Sequence, residues 1–131
     1  MKELIDIVWN NRDLLKEKKY SDAVKSTLEK LNKGELKVAE KIDSKWIVNE
    51  WVKKAVILFF PLMEMKTIEL GPFEFHDKIK LKTNYKEQGV RVVPHAIARY
   101  GSFIHKGVVL MPSYVNICLL YTSPSPRDGL L

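Results

Sequence analysis

The period of the apolar positions changes along this chain, and each change marks a new element. Over Lys2 to Lys18, Leu4, Val8 and Leu15 fall near one face with Ile5 and Trp9 beside them, the spacing of an amphipathic helix. Ser21 is placed to cap a second helix carrying Val24, Leu28 and Leu31, and Gly34 falls just past its end, where left-handed backbone closes helices. Leu36 and Val38 then alternate with polar residues before an Asp43, Ser44, Lys45 turn and a short run from Trp46 to Val48, which together predict a hairpin. Asn49 caps a third helix over about 50–60. Trp51, Ala55 and Leu58 share one of its faces and Val52, Val56 and Phe59 the next, so burial on most sides follows. Pro61 cannot donate to the helix ladder and disfavours helical backbone at Phe60, so the helix stops there. Met65 to Leu70 reads as a strand closed by Gly71 and Pro72, and Lys78 to Lys82 alternates as an edge strand would.

From Gly89 onward the period becomes six. Ile97, Phe103, Val109 and Val115 form one column, and Ala98, Ile104 and Leu110 form another beside it. Six fits neither a helix nor a flat strand, but it fits a coil of short strands that each present one inward side chain. That is the hexapeptide-repeat signature. After Ile117 the text reads CLLYTSPSPRDGLL and carries no hexad. The expected fold class is therefore α/β: a small helical amino-terminal domain with a short sheet over 1–90, followed over 91–117 by the first coil of a truncated left-handed parallel β-helix. Residues 118–131 are expected to be a non-native tail.

Composition narrows the function classes. The chain has 131 residues, 46% apolar and 29% charged, the balance of an ordinary globular protein rather than a disordered one. Its longest apolar run, near Ala55 to Met63, is too short to span a bilayer, and MKELIDIVWNNRD has acids where a signal peptide has its apolar core, so cytoplasm is the expected compartment. The single cysteine, Cys118, excludes an internal disulfide and argues against a zinc knuckle. Net charge is +6, yet the lysines are interleaved with acids, as in KEKKYSDAVKSTLEKLNKGELKVAEK, which describes a solvated surface better than a nucleic-acid face.

The order GELKVAEKID (34–43), WIVNEWVKKAVIL (46–58), FHDK (75–78) and RVVP to LMPSYVNI within 89–117 resembles the tetrahydrodipicolinate N-succinyltransferase family. Ser44 stands where that family usually has glycine, His95 where a second proline is common, and Phe60 where an arginine often follows. At Cys118 the departure is larger, because the family continues with glycine and further hexads. CLLYTSPSPRD instead resembles the translation of a sequencing adaptor. The resemblance implies a trimeric enzyme that passes a succinyl group from succinyl-CoA, a co-substrate rather than a bound cofactor, to the amine of a ring-opened amino dicarboxylate. It implies no nucleic-acid or membrane partner. It also places the acidic catalytic residues and the pantetheine groove in later coils, so none is expected here.

A dicarboxylate invites arginine, whose planar fork binds a carboxylate through two parallel hydrogen bonds. By the resemblance, Arg91 in RVVP is the substrate-binding residue. Arg99 sits at a coil corner and is expected to be structural or to face a neighbouring subunit. His76, His95 and His105 have no metal-site spacing. Ser113 and Tyr114 lack a recognisable acid and base, and Trp46 and Trp51 are expected in the core rather than as a base-stacking platform. Two other classes fit the composition: a small basic module binding RNA or protein, and another hexapeptide acyltransferase. Because about three solenoid turns are needed for stability, residues beyond about 91 are expected to fray, and the chain by itself to be inactive.

Overall fold

The structure, a computed structural model, describes residues 1–121. Three helices build the core of a mixed helix and short-sheet domain. Helix α1 (Lys2–Asn10) buries Ile5 and Val8, α2 (Lys18–Asn32) buries Val24, Leu28 and Leu31, and α3 (Glu50–Phe59) buries Val52, Ala55, Leu58 and Phe59. The single helix expected over Lys2 to Lys18 is broken. Asn11 leaves the helical region at φ −144°, and Arg12–Lys16 form a separate 3-10 turn that lays Leu14 and Leu15 against the core. Ser21 does not cap α2. The helix already runs from Lys18, the Ser21 amide donates to the Glu17 carbonyl, and the Ser21 hydroxyl bonds the Lys18 carbonyl at 3.2 Å.

Asn49 is the N-cap residue of α3 as expected, but its side-chain amide donates to the Lys37 carbonyl at 2.7 Å and makes no cap bond. Its backbone carbonyl accepts from Val52. Helix α3 ends at Phe59, and Phe60–Leu62 tighten into one 3-10 turn around Pro61, whose missing N–H is harmless there.

Two hairpins project from this core. Strands β1 (Ala39–Ile42) and β2 (Lys45–Val48) pair antiparallel through Asp43 and Ser44, both at positive φ, the backbone of a type I′ turn. Leu36 and Val38 lie before the hairpin and pack on the core instead of forming its first strand. Trp46 is 71% exposed, so the expected core position fails for it, while Trp51 on α3 does pack against the core. Helical and strand spacing cannot say which face of a two-stranded ribbon meets another layer.

Strands β3 (Lys66–Leu70) and β4 (Phe73–Asp77) form the second hairpin, turning at Gly71 and Pro72. The partner strand is Phe73–Asp77 and not Lys78 to Lys82. In that later segment Ile79 and Lys82 are buried, Leu81 is half exposed, and Leu81 makes one isolated bridge to Arg99. Burial at 79 and 82 breaks the alternation an edge strand would keep.

A short helix, α4 (Tyr85–Gln88), closes on Gly89 at φ +70° and feeds the coil. Its strands are β5 (Arg91–Val92), β6 (Ile97–Ala98), β7 (Phe103–Ile104), β8 (Val109–Leu110), β9 (Tyr114–Val115) and β10 (Leu120–Tyr121). The chain passes over itself in three parallel pairings: Val92 on Leu110, Ala98 on Val115, and Ile104 on Tyr121. Each ladder holds two residue pairs, so among the described residues these are short sheets and not a closed β-helix. Val115 belongs above Ala98, not in the Ile97 column where strict counting by six puts it, because Tyr114 is the residue that pairs with Ile97. The hexad loses one residue between Leu110 and Val115.

Ala98, Ile104, Leu110 and Val115 are buried and form a second small core with Val90 and Val108. The coil also runs past Ile117, where no hexad is legible: the Cys118 amide donates to the Gly101 carbonyl and β10 pairs with β7. The rest of the expected tail, 122–131, lies outside the described residues.

Candidate functional site

Arg91 is the residue singled out for binding. It is the first residue of β5, held by its amide bond to the Val108 carbonyl at 3.1 Å, and its side chain is exposed. Among the described residues its guanidinium takes part in no ion pair. Strand alternation explains the geometry: Val92 turns toward the small core while its neighbour turns out. A cation presented this way, on rigid backbone and not neutralised, can hold a carboxylate.

Polar contacts fasten the coil and the segment before it to the helices and to the β3–β4 hairpin, and the side chains that make them are engaged with one another. Arg99 donates through Nη2 to the Asp77 carboxylate at 2.6 Å and through Nη1 to the Asn116 side chain at 3.1 Å. That bond holds the Asp77 carboxyl below the usual carboxylate range, against the opposing effect of its partial burial. The Tyr100 hydroxyl donates to Glu29 on α2, and burial followed by this carboxylate pushes the phenol well above its ordinary value. Lys82 donates to both the backbone and side-chain oxygens of Asn32, at 3.1 and 2.7 Å, and burial lowers its ammonium. The Asn32 side chain also accepts from the Gly101 amide at 3.0 Å. Gly34, at φ +76°, completes the junction: an added Cβ would lie 2.8 Å from the Phe103 ring.

The remaining candidates fall apart spatially. His76 shares a 2.8 Å bond with Thr67 across the β3–β4 hairpin, His95 lies near Phe73, and His105 meets the Phe103 ring edge-on. Among the described residues no three His, Cys, Asp or Glu side chains converge on a metal position. The Ser113 hydroxyl donates to the Met111 carbonyl at 2.6 Å, and Tyr114 is exposed, so neither belongs to a nucleophilic array. No described helix is long and apolar enough to cross a membrane. Sequence reading missed the partners of Arg99 and Lys82. Both lie far away along the chain, and no local spacing announces them.

Residues 1–62 match the family described as tetrahydrodipicolinate N-succinyltransferase N-terminal. A 2,3,4,5-tetrahydropyridine-2,6-dicarboxylate N-succinyltransferase of Pseudoalteromonas translucida is 44% identical over 127 residues, covering 89% of this chain and 46% of the relative. Proteins of the same name from Bordetella pertussis and a Psychrobacter species are 47% identical over 123 residues and 55% identical over 103 residues. They cover 86% and 73% of this chain, and 45% and 38% of their own lengths. The chain thus spans less than half the length of these relatives. Over its amino-terminal part the chain is similar to the tetrahydrodipicolinate N-succinyltransferases, residues 1–62 matching that family's amino-terminal domain.

Proposed function

We propose that this chain is the amino-terminal part of a cytoplasmic acyltransferase that moves a succinyl group from succinyl-CoA onto the amine of a ring-opened tetrahydrodipicolinate. In that reaction the amine nitrogen bonds to the thioester carbonyl, the carbon–sulfur bond breaks, coenzyme A leaves as the thiol, and a base takes the amine proton. The reading rests on one observation above others: identity to proteins of that name continues from the helical domain into the segment where the chain begins to pass over itself in parallel. In the whole protein, that segment is the first turn of a left-handed parallel β-helix, three copies assemble, and later turns supply the base and the coenzyme A groove.

Within this chain, Arg91 is the substrate-binding residue. Its exposed guanidinium, projecting from β5, takes one carboxylate of the acceptor. The test joins residues 1–117 to the carboxyl-terminal half of the Bordetella pertussis relative and follows thiol release from succinyl-CoA. The 131-residue chain alone is expected to release none, and the fusion to turn over. Arg91→Lys in the active fusion is expected to raise KM for the dicarboxylate about tenfold or more, with a smaller effect on kcat, because the ammonium cannot reproduce the two-pronged bond. An unchanged KM removes Arg91 from the site. Turnover by the 131-residue chain overturns its dependence on later coils.

A further inference from the structure

A cleft of about 530 Å³ opens between the β3–β4 hairpin and the place where α3 meets the coil, a size that suits a small ligand. Its floor is apolar. Phe59, Ile79 and Tyr100 are buried there, and Met63 lines it beside them. The Tyr100 hydroxyl is already taken by Glu29, so the floor offers its ring and not its polar end. Ile68 and Phe75 form the hairpin wall, with 49% and 39% of their surfaces uncovered. Apolar side chains so exposed on a concave surface are what a bound apolar body would cover.

The rim has the opposite character. Lys25 comes to it from α2, Lys66 from β3, and Lys78 and Lys80 from the segment after β4. Two acids, Glu64 and Asp77, share the lining with the four lysines, and Asp77 is engaged by Arg99. The Lys80 ammonium lies 4.5 Å above the Tyr100 ring, at the boundary between rim and floor. An apolar trough under a cationic mouth complements a molecule with one anionic end and an extended hydrocarbon body.

We propose that this cleft binds a free linear alkyl carboxylate of about eight to twelve carbons, its chain along the Phe59, Ile79 and Phe75 surface and its carboxylate among the lysines. Arg91 does not line the cleft, so the site is separate from the one proposed for acyl transfer and stands or falls independently of it.

The test uses the 131-residue chain labelled with ¹³C at its methionine methyls, titrated with decanoate below its micelle concentration. Met63 lines the cleft, whereas Met1 and Met111 do not. The expected result is a saturable shift of the Met63 methyl with Met1 and Met111 unmoved. Each methylene is worth about fourfold when fully buried, so octanoate, two methylenes shorter, should bind about fifteenfold more weakly than decanoate. Decanol, and decanoate with Lys66→Glu or Lys80→Glu, should bind about fivefold more weakly. Unchanged Met1 and Met111 resonances certify that each variant is folded.

The proposal is overturned if Met63 does not move, if all methionines move together without saturation, or if decanol binds as well as decanoate. A Met63 shift that depends on protein concentration alone also overturns it, because a second copy would then fill the cleft.

Discussion

Arg99 sits where hairpin, helix and coil meet, its side chain 16% exposed, bonded to Asp77 and Asn116 and lying over the Phe60 ring. Its Nε is buried without a partner, so the pair with Asp77 offsets only part of the cost of placing that charge there. Asp77→Asn is expected to destabilise the chain by about 1 kcal/mol in urea melts at neutral pH, a modest value because the Asp77 side chain is partly solvated. The folded Asp77 carboxyl is more acidic than the unfolded one. Its contribution is therefore complete above about pH 5 and drains away as pH falls through the unfolded value near 4 and then the lower folded value. The difference between wild type and Asp77→Asn should shrink across that window; a constant difference down to about pH 2 would place the effect elsewhere. Cys118 is a second instructive residue. It holds φ +68°, left-handed backbone that costs a side chain about 1 kcal/mol. Cys118→Gly should stabilise the chain by about 0.5 kcal/mol, since relief of strain outweighs the half-buried thiol's contacts, and a loss of stability in the same melts would show that packing dominates.

At the scale of elements, helices follow their sequence pattern more faithfully than strands do. The buried faces of α2 and α3 are the ones their periodicity marks, because a helix shows its apolar stripe wherever it packs. Helix α1 stops early at Asn10, where two successive asparagines replace residues with higher helix propensity. The β1–β2 hairpin depends on its turn, since its apolar residues Ile42, Trp46, Ile47 and Val48 remain exposed and supply little packing. A type I′ turn favours glycine at its second position, and Ser44 holds φ +65° there. Ser44→Gly is expected to slow hydrogen exchange at the hairpin amides by about threefold, corresponding to about 0.6 kcal/mol, without moving the global melt. Equal exchange in both proteins would mean that the ribbon is held by something other than its turn.

For the molecule as a whole, the decisive feature is a coil that begins but is not capped among the described residues. The strands from β5 on are joined by parallel bonds over a buried column, and the fraying expected beyond about residue 91 is read by amide exchange. The far side of the coil stays open: Tyr114 is 56%, Leu119 48% and Tyr121 45% exposed. A solenoid turn with one neighbour has half the interface of an interior turn, so amides of Phe103 and Arg99 should exchange at least about tenfold faster than those in the middle of α3. Equal protection would show that the junction formed by Arg99, Tyr100 and Lys82 makes coil and helices one cooperative unit. The sequence by itself determined the buried faces of α2 and α3, the turn at Asp43 and Ser44, the end of β3 at Gly71 and the inward column of Ala98, Ile104 and Leu110, because periodicity and turn chemistry are local. Only the tertiary structure decided that Trp46 faces solvent, that Val115 stacks on Ala98, that Lys82 reaches Asn32, and that four lysines ring an apolar cleft. Each of those outcomes joins residues distant in the chain, and their energy comes from burial and charge pairing that no local pattern encodes.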